Sequence, residues 1–302
     1  MMKVAICGGT GFIGSALSEH LLQNGQEVIV VTRKLPPGQT RDPRLTLYTW
    51  DQIAHHPELM EGLDAVVNLA GSSLSQRWTA KAKDSIIQSR LTTVDAIDKL
   101  VAELHSKPGV VIQASAIAVY GTSWTDTFDE NSPTRVMDFP SDVVSQWEDA
   151  ADKIQGVRLV KLRIGVVLGN QGGAFPIMCL PYRLGVGGKI GSGRQWLSWI
   201  HLEDIVRLIE FCMTHPAAEG PVNATAPEPV TNDQFGRAVG RAYHRPHWFP
   251  VPSFMMKAVL GEQSLIILEG QRILPAKALA LGFEFRYPRL QEALDNLSSE
   301  KD

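Results

Sequence analysis

The chain has 302 residues, 44% of them apolar, with a formal net charge of −3 and three cysteines. That is ample material for a packed core, and the slight negative charge excludes an electrostatic case for nucleic acid or an anionic membrane. Cys7, Cys179 and Cys212 are widely separated and odd in number, with neither metal spacing nor a disulfide framework, which fits a reducing compartment.

The residues ahead of the first glycines are too few for a signal peptide, and no apolar run approaches membrane-spanning length. A soluble, cytoplasmic, metal-free protein is expected. Val4-Ala5-Ile6-Cys7 reads as a short strand, Ser15 to Leu22 as a helix, and Glu27-Val28-Ile29-Val30-Val31 as a second strand. Between the first strand and the helix lies Gly8-Gly9-Thr10-Gly11-Phe12-Ile13-Gly14. Strand, glycine turn, helix and strand form the βαβ unit that holds a dinucleotide. The spacing here is GxxGxxG rather than GxGxxG. Its glycines serve a tight turn, close backbone approach to a pyrophosphate and close helix–strand packing. The helix that follows offers free N–H groups to phosphates. Gly8, Thr10, Gly11, Phe12, Ile13 and Gly14 are therefore candidate cofactor-binding residues.

The second strand ends in Thr32-Arg33-Lys34. An NAD site usually carries an Asp or Glu here to bind the ribose hydroxyls. A hydroxyl followed by two cations suits the 2′-phosphate of NADP instead, and NADP is the expected cofactor. Ordinary solvated charges are the competing reading of Arg33 and Lys34.

Further along, Leu45–Tyr48, Ala65–Ala70, Val110–Ala114 and Arg158–Arg163 read as strands, with a helix through about 80–104 between the fourth and fifth. Near-continuous apolar runs are what a parallel sheet buried on both faces requires, and the alternation with helices argues for an α/β, Rossmann-type doubly wound fold. The pattern changes after Gly169. Residues 170–195 are dense in glycine, with Pro176 and Pro181. The alternation returns at Trp199-Ile200-His201 and a helix over 203–213, and from Pro227 the chain is punctuated by proline and mostly helical. We therefore expect a dinucleotide-binding domain over 1–169 and 197–226. A smaller, mostly helical substrate lobe over 170–196 and 227–302 would sit at the carboxyl ends of the strands, where such sheets bind ligands.

Several segments resemble the extended short-chain dehydrogenase/reductase superfamily, which includes nucleotide-sugar epimerases. They are Asn68-Leu69-Ala70-Gly71, Ser115-Ala116-Ile117-Ala118-Val119-Tyr120-Gly121, Glu130-Asn131-Ser132-Pro133 and Ile200-His201-Leu202-Glu203-Asp204. A narrower resemblance, to the epimerase family proteins that end in a domain of unknown function, rests on four stretches. These are Arg163–Gly169, the glycine-rich Pro181–Gln195, Trp199-Ile200-His201, and residues 249–295 with Glu269-Gly270-Gln271-Arg272. The resemblance implies cofactor contacts from Leu69, Ala70 and Gly71, from Arg90 in the helix after strand four, and from the backbone at Val167.

The chemistry that the resemblance suggests is not carried over. The superfamily uses a Tyr as general acid/base with a Lys four residues on, and a Ser for the substrate oxygen. The five tyrosines here are followed at the fourth position by Gln52, Trp124, Val186, His247 and Gln291, never by Lys. Counting back from Glu148 puts Pro140 and Val144 at the Tyr and Lys positions, and Ala116 stands at the Ser position with Ser115 one step earlier. Ser115 is the remaining catalytic candidate; a small hydroxyl closing a strand is its other reading. Arg90 is either a cofactor contact or a solvated helix charge. Arg183, Lys189, Arg194 and Gln195 are candidates for holding a polar or anionic substrate, against plain solvation. His201 is expected to bury its ring at a strand–helix junction, and Trp124, Trp147, Trp196 and Trp199 can line a pocket or fill the core. Nucleotide-sugar enzymes tend to place an Arg where Leu197 stands, which weighs against an epimerase. Two readings lead: an NADP-dependent oxidoreductase acting on a small carbonyl or alcohol, and a non-catalytic NADP(H)-binding or regulatory protein. Oligomeric state stays open, a homo-oligomer included.

Overall fold

The computed structural model describes residues 1–36, 42–74 and 76–299. Residues 37–41 of the expected first domain and 300–302 of the expected lobe lie outside them.

Seven strands form one parallel sheet: β1 (Lys3–Cys7), β2 (Glu27–Thr32), β3 (Leu45–Thr49), β4 (Ala65–Asn68), β5 (Val110–Ala116), β6 (Arg158–Ile164) and β7 (Gly220–Ala224). Their spatial order is β7-β6-β5-β4-β1-β2-β3. The order reverses between β1 and β4, which opens a crevice at the carboxyl ends of these strands. The expected doubly wound fold is present. The edge strand β7 was not among the expected strands, because Gly220-Pro221-Val222-Asn223-Ala224 lacks an apolar run. Trp199–His201, for its part, pairs with Val166–Leu168 outside the main sheet.

The helices in chain order are α1 (Phe12–Gln23), α2 (Trp50–His55), α3 (Ala80–Glu103), α4 (Phe139–Ala151), α5 (Phe175–Arg183), α6 (Leu202–Thr214) and α7 (Asn232–Ala242). Shorter helical pieces follow, then a last helix over Leu290–Ser299. Alternation along β1 divides the core between the two faces of the sheet. Val4 and Ile6 join Leu17, Leu21, Ile205 and Ile209 from α1 and α6. Ala5 and Cys7 join Ile97, Val101, Trp147 and Ala151 from α3 and α4. A third core unites α5, α7 and the last helix through Phe175, Tyr182, Phe235, Val239, Leu290 and Leu294. The three cysteines are free and buried. No helix among the described residues is long and apolar enough to cross a membrane, and no metal-holding cluster of side chains occurs among them.

Candidate active site

The glycine loop is pinned by its own close contacts. A β carbon on Gly14 would stand 2.3 Å from the Gly8 carbonyl oxygen and 2.7 Å from the Gly9 α carbon, so only glycine lets α1 begin this near to β1. The N-cap of α1 is Gly11, with no side-chain cap. The first N–H groups of the helix therefore point outward, ready for an anion. Gly8 donates its N–H to the Val31 carbonyl at 3.1 Å, which sets the loop beside the end of β2.

A cleft of about 540 Å³ opens from this loop, within the size range of cofactor pockets. Gly8, Gly11, Phe12, Ile13, Gly14, Leu69, Gly71, Arg90 and Ser115 all line it, as the sequence reading expects of a site. Thr10 faces a neighbouring groove. Thr32, Ala70 and Val167 are not in the cleft wall, although Gly165 and Val166 are. Thr32 is buried and donates its hydroxyl to the Lys34 carbonyl at 3.2 Å. Arg33 and Lys34 follow it as exposed cations, and no carboxylate pairs with either among the described residues.

Arg90 sits on the buried stripe of α3 with Ile86, Val94 and Ile97. A cation on an apolar stripe needs a reason. The Arg90 guanidinium donates to the carbonyls of Ser72 and Ile86 at 3.1 and 3.0 Å and lies 4.9 Å from the centre of the Trp147 ring. It has no carboxylate partner among the described residues, and burial lowers its pKa to about 10. An anionic group entering the cleft would complete its coordination. Glycine loop, uncapped helix start and unpaired guanidinium together fit a pyrophosphate-bearing dinucleotide.

Ser115 is held by its sheet neighbour and by α4. In the parallel register Ser115 lies directly beside Arg163, and both reach the same carboxylate. The Ser115 hydroxyl donates to Glu148 Oε1 at 2.6 Å. Arg163 donates through Nε and a terminal nitrogen to the two Glu148 oxygens, each at 2.8 Å. All three side chains are buried. Burial pushes the Glu148 carboxyl up, but the Arg163 guanidinium, the Ser115 hydroxyl and Lys161 together hold it below its usual range. Arg163 also donates to the Tyr120 hydroxyl at 2.8 Å, which in turn donates to Asn223 Oδ1 at 2.8 Å. The sequence reading did not give Glu148 or Arg163 a place in the site; they reach it through strand register and helix packing.

No Tyr, Lys, His or Cys lines the cleft among the described residues. Pro140 forms part of the wall where the usual Tyr would stand, and Val144 is buried in the core.

The remaining expected substrate residues lie elsewhere. Arg183, Lys189 and Arg194 are exposed and outside the cleft wall, with Arg183 placed 5.7 Å over the Tyr243 ring. Gln195 is buried, and its amide nitrogen donates to the carbonyls of Ile190 and Ile267 at 3.1 and 3.0 Å. It ties the glycine-rich segment to the carboxyl-terminal one. The residues that roof the cleft are instead Trp196, Leu197 and Ser198 with Leu265, Ile266, Glu269, Gly270 and Gln271. Trp147 and Trp196 line it, Trp199 is core and Trp124 is exposed. His201 is buried at the start of α6, accepting the Glu203 N–H at 3.2 Å.

Residues 4–224 match the NAD dependent epimerase/dehydratase family. The chain belongs to that family. Residues 251–297 match a domain of unknown function, DUF1731, which supplies most of the roof just described. Among relatives, the epimerase family protein YfhF of Bacillus subtilis is 42% identical over 99% of both chains. The epimerase family protein SERP0438 of Staphylococcus epidermidis is 40% identical over 98% of this chain and 99% of its own. Among solved structures, human epimerase family protein SDR39U1 (isoform 2) with NADPH superposes with a TM-score of 0.91 at 37% identity, covering 99% of each chain. The nucleoside-diphosphate sugar epimerase of Corynebacterium glutamicum gives 0.79 at 29% identity, covering 99% of this chain and 58% of that one. The chain is thus an extended short-chain dehydrogenase/reductase with a Rossmann-type sheet.

Proposed function

We propose that the protein binds NADP(H) in this cleft and is an oxidoreductase acting on a small carbonyl or alcohol without the usual Ser-Tyr-Lys set. The observation that carries the cofactor choice is the pair Arg33 and Lys34, exposed and without a carboxylate partner among the described residues, at the end of β2 beside the glycine loop. An extra phosphate there would gain charge-assisted hydrogen bonds. The NADPH in the human relative's structure supports the same choice.

The bound dinucleotide would supply hydride chemistry. The protein's part is to hold its pyrophosphate at the start of α1, to meet an anionic group with Arg90, and to place Ser115 against the substrate oxygen. With none of Tyr, Lys, His or Cys in the described wall, turnover would lack the roughly 10²–10⁴-fold help that the usual acid/base pair provides. The absence of Tyr, Lys, His and Cys from the described wall also favours a second reading, a protein that uses NADP(H) as a ligand without chemistry.

Side-by-side titration with NADPH and NADH, repeated on Arg33→Ala, tests the cofactor assignment. A preference for NADPH that Arg33→Ala erases supports it, whereas equal affinity of the unaltered protein for both overturns it. NADPH consumption over a panel of carbonyl compounds, with NADP+ reduction over the corresponding alcohols, separates the two readings, since tight binding without turnover in either direction selects the second.

A further inference from the structure

We propose that Glu148 turns the Ser115 proton away from the cleft, so that Ser115 offers only acceptor lone pairs and the site selects a neutral or cationic hydroxyl-bearing substrate, an alcohol, over a carbonyl compound or an anion. This rests on the reading of the cleft as a dinucleotide-dependent site and narrows its substrate.

The direction of the Ser115 hydrogen bond follows from proton counting. Both Glu148 oxygens accept from the Arg163 guanidinium, so the carboxyl is ionised and can only accept. The 2.6 Å contact therefore uses the single hydroxyl hydrogen of Ser115. A substrate carbonyl meeting Ser115 would bring lone pair against lone pair. Turning the hydrogen toward it would break a bond to a charged acceptor inside a buried network, where such bonds are strongest. A substrate hydroxyl donates to the Ser115 oxygen and leaves that network intact.

The other polar side chains around the cleft point the same way. Ser198 donates its hydroxyl to the Gln271 carbonyl at 2.9 Å, and Gln271 donates its amide to the Ile117 carbonyl at 3.1 Å. Asp138 and Glu269 are carboxylates in the wall, so an anionic substrate would meet like charge there. Two wall residues are exceptions among the described residues: Thr122, a hydroxyl with no side-chain hydrogen bond, and Trp147, whose indole N–H has no partner. Apart from Arg90, Thr122 and Trp147, the polar side chains of the wall present acceptors or donors already committed to other groups.

The experiment has three arms. NADPH titration comes first; failure to bind sinks the reading of the site itself, before any substrate is involved. Neutron diffraction from the deuterated protein then locates the Ser115 deuteron. Density between Ser115 Oγ and Glu148 Oε1 supports the proposal, and density directed into the cleft overturns it.

The third arm uses cyclohexanol and cyclohexanone, which share a carbon frame. Binding is read by tryptophan fluorescence in non-reacting complexes, the alcohol with NADPH and the ketone with NADP+. In the unaltered protein the alcohol should bind more tightly. Ser115→Ala, which keeps the Glu148–Arg163 pair, should weaken the alcohol by up to about tenfold, the scale of one lost neutral hydrogen bond, and leave the ketone unchanged. Glu148→Gln, whose amide can donate to Ser115, should weaken the alcohol and strengthen the ketone. A merely structural role for Glu148 would weaken both together. That result, equal loss of both ligands in Ser115→Ala, or no binding of either ligand at its solubility limit overturns the substrate selection.

Discussion

A β carbon on Gly270 would lie 2.0 Å from the carbonyl oxygen of Trp196. These two residues are the meeting point of the carboxyl-terminal segment and the short strand Trp196–Leu197, and both belong to the roof of the cleft. Neighbouring bonds fix the contact. Ser123 donates its N–H to the Gly270 carbonyl at 3.0 Å, and the Trp196 indole donates to the Trp124 carbonyl at 3.1 Å. Gly270→Ala must push these segments apart. We expect a loss of about 1–3 kcal/mol in stability, typical of overpacking, together with weaker NADPH binding. Thermal unfolding with and without NADPH checks both; unchanged values would show that the roof yields freely.

At the opposite end of the cleft, Gly14→Ala places a methyl group against the Gly8 carbonyl, a backbone contact that cannot give way by side-chain rotation. The helix start must shift, and with it the N–H groups that meet the phosphates. The expected outcome is at least about a tenfold loss of NADPH affinity, measured by fluorescence titration, with far-ultraviolet circular dichroism retained. Wild-type affinity in this variant would separate the glycine loop from cofactor binding.

These two predictions mark what was legible in the sequence. The glycine loop is local: strand, turn and helix adjoin in the chain, and period and glycine spacing suffice to place them. Arg90 also carried a signal, a cation in step with Ile86, Val94 and Ile97 at helical spacing. The roof did not. Glu269 accepts the Trp124 indole N–H at 3.0 Å across 145 positions in sequence, and no short window encodes such a meeting. The glycine-rich Pro181–Gln195 segment drew attention because it is polar and distinctive, yet Gln195 spends its amide holding two backbone carbonyls. Strand β7 hid behind Pro221 and Asn223, whose polar side chain is used inside the structure, accepting from Tyr120 and donating to the Leu274 carbonyl at 3.0 Å.

The buried pair of Glu148 and Arg163 makes a stability prediction independent of any ligand. Removing the cation alone, as in Arg163→Leu, leaves a buried carboxylate with, among the described residues, Ser115 and, at 3.6 Å, Lys161 as its remaining side-chain partners. A loss of about 3–5 kcal/mol is expected. Pairing it with Glu148→Leu removes the stranded charge and should recover much of that loss. Urea unfolding of the two single variants and the double variant tests this; additive losses would mean that the pair is uncoupled.

His201 makes the molecule sensitive to mild acid. Burial lowers its pKa from 6.5 to about 4, so between these values the unfolded chain binds a proton that the folded protein refuses. The sign follows: this contribution is fully present above pH 6.5 and is lost as pH falls toward 4. A gap of this size corresponds to about 3 kcal/mol in total. Carboxylates titrate mainly below pH 5, and the chain has seven other histidines, so His201 is isolated in the interval from 6.5 to 5 by comparison with a variant that lacks it. His201→Asn keeps a side chain able to cap α6 and removes the titration. Its unfolding free energy, measured by urea denaturation, should vary less across that interval than that of the unaltered protein. Parallel pH profiles for the two would show that the imidazole takes up its proton in the folded state as readily as in the unfolded one.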